Sequence, residues 1–145
     1  MDNIKDTITE SFGQETAFSG NTWLIARPST FADMILTCRR ADGSFGREDL
    51  VGIACWCLRY KVSLELPSPD LADPLFPDQD HINTLFERIL GRELRTLSGD
   101  GRAGVRQLQD EMRHLKVANS LGIEADYDNF ITHMLSLSLK LLFMS

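Results

Sequence analysis

Two glycine turns at matched positions restrict what this chain can fold into more than any other feature. The stretch 31–61, FADMILTCRRADGSFGREDLVGIACWCLRYK, reads as a helix, a tight turn on Asp42-Gly43, and a second helix running back. The phrase recurs as ERILGRELRTLSGDGRAGVRQLQDEMRHLK, which turns on Asp100-Gly101. Both turns share Asp-Gly-x-x-Gly-x-x-x-Leu, with Gly46 and Leu50 in the first and Gly104 and Leu108 in the second. The expectation is an all-α, single-domain helical bundle of two related hairpins, at 30–62 and 81–121, with a C-terminal helix over 127–144.

Local chemistry supports the punctuation. Ile4, Ile8 and Phe12 fall at steps of four, the spacing of an amphipathic helix. Pro28-Ser29-Thr30 suits a helix start, where a hydroxyl can accept from the free amides of the first turn. Phe31, Met34, Ile35 and Cys38 then form an apolar stripe with helical spacing. Arg39 and Arg40 follow where cations favour the negative end of the helix dipole. Glu48 and Asp49 open the next helix, whose inner positions are read as Leu50, Ile53, Ala54, Cys57 and Leu58.

Four of the five prolines lie in 64–80, LELPSPDLADPLFPDQD, so this stretch is read as an irregular linker between the halves. Asp78 or Asp80 is placed to cap the next helix, with Ile82, Leu85, Phe86, Ile89 and Leu90 on its apolar face. Val105, Leu108, Met112 and Leu115 line the helix after the second turn, which ends at Leu121-Gly122. Asp126 or Asp128 can start the last helix, through Phe130, Met134, Leu137 and Leu141. The tail MLSLSLKLLFM also alternates, as a strand would. It either closes the core or contacts another molecule. In the second case Leu135, Leu139, Leu142 and Phe143 meet a protein partner, or a second copy in a homodimer.

The chain has 145 residues and a net charge of −6. One core of ordinary size follows from the length, and the charge argues against nucleic acid and anionic lipid as partners. No apolar run is long enough for a membrane span. Three cysteines, two of them at 55 and 57, read as reduced thiols of a cytoplasmic protein.

Chemistry-bearing patterns are sparse. Cys38, Cys55 and Cys57 with His81, His114 and His133 lack zinc-site spacing, since Cys-x-Cys on a helix points its thiols about 200° apart. There is no nucleophile elbow and no phosphate loop. A divalent cation such as calcium or magnesium could be gathered by the acids at the two turns, Asp42, Glu48, Asp49 and Asp100. Compared with an EF-hand loop, however, Cys38 and Arg40 stand where the first acidic ligands should be, and Thr96 and Ser98 do so in the second turn.

The layout resembles the TerB family, all-helical domains associated with tellurite resistance. The resemblance is carried by the helix ending in Ala41-Asp42-Gly43, the acids Glu48 and Asp49, the Asp100-Gly101 unit, and the closing phrase Asn119-Ser120-Leu121-Gly122-Ile123 leading to Phe130. It spans roughly 31–130. It implies a cytoplasmic bacterial stress-response or scaffold role, with an acidic divalent-cation cluster carried over to Asp42, Glu48, Asp49 and Asp100. Arg106 and Gln107 depart from that pattern where acids are expected. The expected function is a non-enzymatic protein-binding or scaffold module. The alternatives are a divalent-cation sensor and an acidic regulator that occupies a basic partner surface.

Overall fold

A computed structural model describes residues 4–11, 28–66, 79–97 and 101–144. Six helices account for most of them: α1 (Ile4–Ser11), α2 (Pro28–Cys38), α3 (Arg47–Glu65), α4 (Gln79–Thr96), α5 (Gly101–Ser120) and α6 (Tyr127–Met144). The described residues contain no strand. The protein is an all-α helical bundle. None of the described helices is long and apolar enough to cross a membrane.

The core is organised around α3 and α6, which make the closest helix pairing in the molecule. Every residue of α3 from Leu50 to Arg59 is buried. A helix that is apolar on all sides belongs in the middle of a bundle rather than on its surface. On α6, Phe130, Ile131, Met134, Leu135, Leu137, Ser138, Leu139 and Leu142 are buried, which again spans more than one face. The alternation in LSLSLKL therefore marks a helix covered on several sides, and no strand forms there. Ser138 returns its hydroxyl to the Leu135 carbonyl at 2.9 Å, so its burial leaves no unpaired donor.

Around this pair, α3 also packs on α4 and α1, α6 packs on α5, and α2 contacts α5 and α6. Glu111 meets His133, and Gly104 approaches Leu137, so α5 and α6 run antiparallel. Tyr60, late in α3, faces Asp126 and Asp128 at the start of α6, so that pair is antiparallel too. Burial first, and then these two carboxylates, push the Tyr60 phenol upward.

The helices expected to form the two hairpins are present in chain order, α2 then α3 and α4 then α5. Neither α2–α3 nor α4–α5 is among the close pairings of helix backbones. Side chains still join the first pair: Phe31 stacks on Trp56, and Trp56 on Tyr60 with ring centroids 5.5 Å apart. The repeated phrase is also used differently in its two copies. Gly46 precedes α3 as its N-cap, whereas Gly101 already belongs to α5 and Gly104 lies inside it. Identical spacing thus falls on different helix positions, because Asp42-Gly43 lies in the connection between Cys38 and Arg47, whereas Gly101 is itself the first residue of α5. Most of the proline-rich linker and the segment around Asp100 lie outside the described residues.

Helix ends follow their local chemistry. Pro28 opens α2, where its missing amide costs nothing. Asp126 caps α6, its carboxylate accepting from the Asn129 amide at 3.1 Å. At the end of α5, Gly122 has φ 71°, the Ile123 amide donates to the Ala118 carbonyl at 2.9 Å, and the Gly122 amide donates to Asn119 at 3.2 Å. These two bonds form a Schellman stop.

Candidate functional site

The Asp42-Gly43 turn is built by its own backbone. The Gly43 amide donates to the Arg40 carbonyl and the Arg40 amide to the Ser44 carbonyl, both at 2.9 Å. Gly43 has φ 85°, a conformation that side chains with a Cβ rarely adopt. The Asp42 carboxylate serves this turn as well. Its Oδ1 accepts the Ser44 hydroxyl at 2.6 Å and the Ser44 amide at 3.0 Å, an Asx turn. Those two bonds, with a smaller contribution from Arg40, hold the Asp42 carboxyl below its usual range.

Of the acids expected to bind a cation, Asp42 thus serves its own turn through Oδ1. The Arg40 guanidinium and the Asp49 carboxylate both lie close over Gly46. A Cβ at position 46 would come within 3.0 Å of Arg40 Nη2 and 3.4 Å of Asp49 Oδ2, both ends of flexible side chains. Glu48 is exposed in the first turn of α3. Among the described residues no three His, Cys, Asp or Glu side chains converge as a metal site would require. Asp100 lies outside them.

The apolar tail is also placed differently from a partner contact. Leu135 and Leu139 are 0% exposed and Leu142 is 2% exposed, within the hydrophobic core. They are core residues, because the face of α6 that bears them is the one its neighbours cover. Of the four, Phe143 alone is exposed, beside exposed Met144.

Neither described thiol is poised for chemistry. Cys57 is fully buried, and burial pushes its thiol well above the ordinary range. Burial also pushes Cys55 up to about 11, against a weaker downward pull from Arg59. The Cys55 thiol points back to the Ile8 carbonyl of α1 at 3.7 Å. Of the histidines, His81 and His114 are exposed, while His133 Nδ1 lies 2.8 Å from Glu111 between α5 and α6.

The residues that do come together lie elsewhere. A cleft of about 430 Å³ opens between the end of α2, its turn, and one face of α5. Leu36 and Met112 give it apolar walls, and Arg39, Arg113 and Lys116 bring three cations to it. Asp42, Gly43 and Gln109 complete the rim. Arg113 lies 3.5 Å from Asp110, an exposed pair of the kind that contributes little and exchanges readily. Asp42 turns its Oδ1 to Ser44. The cleft therefore presents excess positive charge within a chain whose net charge is −6.

Sequence reasoning reached Arg39 only as a helix-end cation and passed over Gln109, Arg113 and Lys116. The signal was present: positions 109, 113 and 116 share a helix face. What hid it was the mixed charge of EMRHLK, which reads as a solvated surface until α2 is placed opposite.

Next to the cleft, α5 ends in an exposed apolar group. Val117 is 56%, Leu121 67% and Ile123 58% exposed. Val117 and Leu121 are one turn apart, and the Schellman stop folds Ile123 back over that last turn.

Compared with models of known protein families, with curated proteins and with solved structures, the chain finds no match in any of the three.

Proposed function

We propose that this chain is a non-enzymatic helical module that binds another protein, through the end of α5. The observation that carries this reading is the exposed group of Val117, Leu121 and Ile123, contiguous on one helix end, in a fold that buries most of its other large apolar side chains. A cytoplasmic, reducing setting is part of the proposal. Its support is that Cys55 and Cys57 are buried as free thiols. So is a scaffold role of the TerB kind in bacterial stress response, supported by the all-helical fold and by the Asp42-Gly43 and Leu121-Gly122-Ile123 phrases at two of its helix ends. A homodimer through the tail would have to rest on Phe143 and Met144, the exposed residues at the end of α6.

The test is site-specific photo-crosslinking in cells, with the reactive group at exposed Ser120. A partner band that disappears with V117D and L121D but persists with F143D is expected. Melting curves confirm that each variant folds. A crosslinking pattern that is the same in all the folded chains would overturn the assignment.

A further inference from the structure

We infer that the cleft between α2 and α5 receives an acidic segment of a protein partner. Its carboxylates lie against Arg39, Arg113 and Lys116, and its apolar side chains continue onto Val117 and Leu121. The inference rests on the protein-binding reading above and names the chemistry of the partner.

Charge complementarity is the first argument. Three cations converge from two helices that are distant in sequence, and guanidinium groups pair carboxylates in a bidentate fork. No described residue offers Arg39 or Lys116 a salt bridge within the protein, and Arg113 has only its exposed contact with Asp110. Asp42 stays ionised on the rim, so the lining carries three cations against one carboxylate, and Asp110 is exposed to screening solvent.

Shape is the second argument. At about 430 Å³ the cleft has the size of a site for a drug-sized group, larger than one carboxylate or phosphate needs. Its walls include Leu36 and the nearly buried thioether of Met112, a side chain that adapts to irregular surfaces. Beyond the lining residues Gln109 and Arg113, the same row of α5 continues by single helical turns to exposed Val117 and Leu121, outside the cleft. An occupant following that line meets polar groups first and apolar ones next, as an acidic peptide with interspersed leucines would require.

The whole-chain charge separates this occupant from nucleic acid. A long polyanion meets the repulsion of a surface with net charge −6, whereas a short acidic segment senses only the field within about 8 Å at physiological salt.

The probe is a fluorescein-labelled synthetic peptide of glutamates with a leucine at every fourth position, titrated by anisotropy into the full chain. Controls are the same peptide with lysines for glutamates, the peptide with serines for leucines, inorganic phosphate, and a single-stranded oligonucleotide. The acidic peptide binds, the lysine peptide does not, and the serine peptide binds more weakly. The double variant R113E/K116E, exposed at both positions and checked by its melting curve, weakens binding by about tenfold or more. Affinity falls as salt is raised.

Unchanged affinity in the charge-reversed chain overturns the inference. So does binding of phosphate or the oligonucleotide in place of the peptide, or no binding at all. The two proposals fail separately. If the Ser120 crosslink needs Val117 and Leu121 but is indifferent to R113E/K116E, the protein-binding reading stands and the acidic partner falls.

Discussion

Phe31 lies flat against Trp56, with ring centroids 3.7 Å apart and planes 7° from parallel. The pair joins α2 to α3 although their backbones are not closely packed, and Tyr60 extends the stack on the other side of Trp56. An aromatic ring so placed supplies buried area that no smaller side chain can replace.

Phe31 is 0% exposed, so F31A should leave a cavity and cost about 3–5 kcal/mol of unfolding free energy. F31L should cost less, because it retains part of the volume. Urea unfolding followed by far-ultraviolet circular dichroism measures both. A loss below about 1 kcal/mol for F31A would show that α2 is not held by this contact.

Two glycines should respond to alanine in opposite directions. Gly122 holds φ 71° at the α5 stop, so G122A should destabilise by about 1–2 kcal/mol. Gly91 sits within α4, and a Cβ there meets nothing within 4 Å. G91A should therefore stabilise by about 0.5–1 kcal/mol, by restricting the unfolded chain and improving helix propensity. Melting temperatures of the two variants decide the signs, and shifts in the same direction would contradict the assignment.

In a chain carrying C38S, Cys55 and Cys57 should resist thiol reagents at neutral pH and react fully once the protein is unfolded. Rapid labelling of native protein would contradict their burial. The Cys55 pKa also sets a pH window. Burial pushes it to about 11 in the folded protein, above the ordinary thiol value of 9.0, so the folded state holds the proton more tightly. The corresponding stability is fully present below pH 9 and is lost as pH rises toward 11. C55A should remove that part of the alkaline decline, leaving what Cys57 and Tyr60 contribute in the same direction.

Calcium and magnesium at about 1 mM should leave the melting temperature unchanged, since a ligand stabilises only what it binds. Asp42 is engaged by Ser44, and Asp49 shares the space over Gly46 with Arg40. A rise in melting temperature that vanishes in D49N would restore the cation-sensing alternative.

Some elements were legible because their causes are local. Periodicity in 31–38 and 82–90, proline at 28, the Asp126 cap and the Gly122 stop each act over a few residues, and the structure realises each of them. The matched Asp-Gly phrase was legible too, and its first copy lies between α2 and α3. A turn dipeptide reports a break in a helix and says nothing about which helix then packs on which.

Alone, then, the sequence determined an all-helical chain, because helical hydrogen bonding and capping are satisfied within a turn or so of chain. Tertiary structure decided the rest. It placed α3 and α6 at the centre, where surfaces apolar on several sides can all be covered. It also drew Leu135, Leu139 and Leu142 into the core, and set Arg39 across from Arg113 and Lys116. Seventy-odd residues separate those cations in the chain, and only helix packing closes that distance.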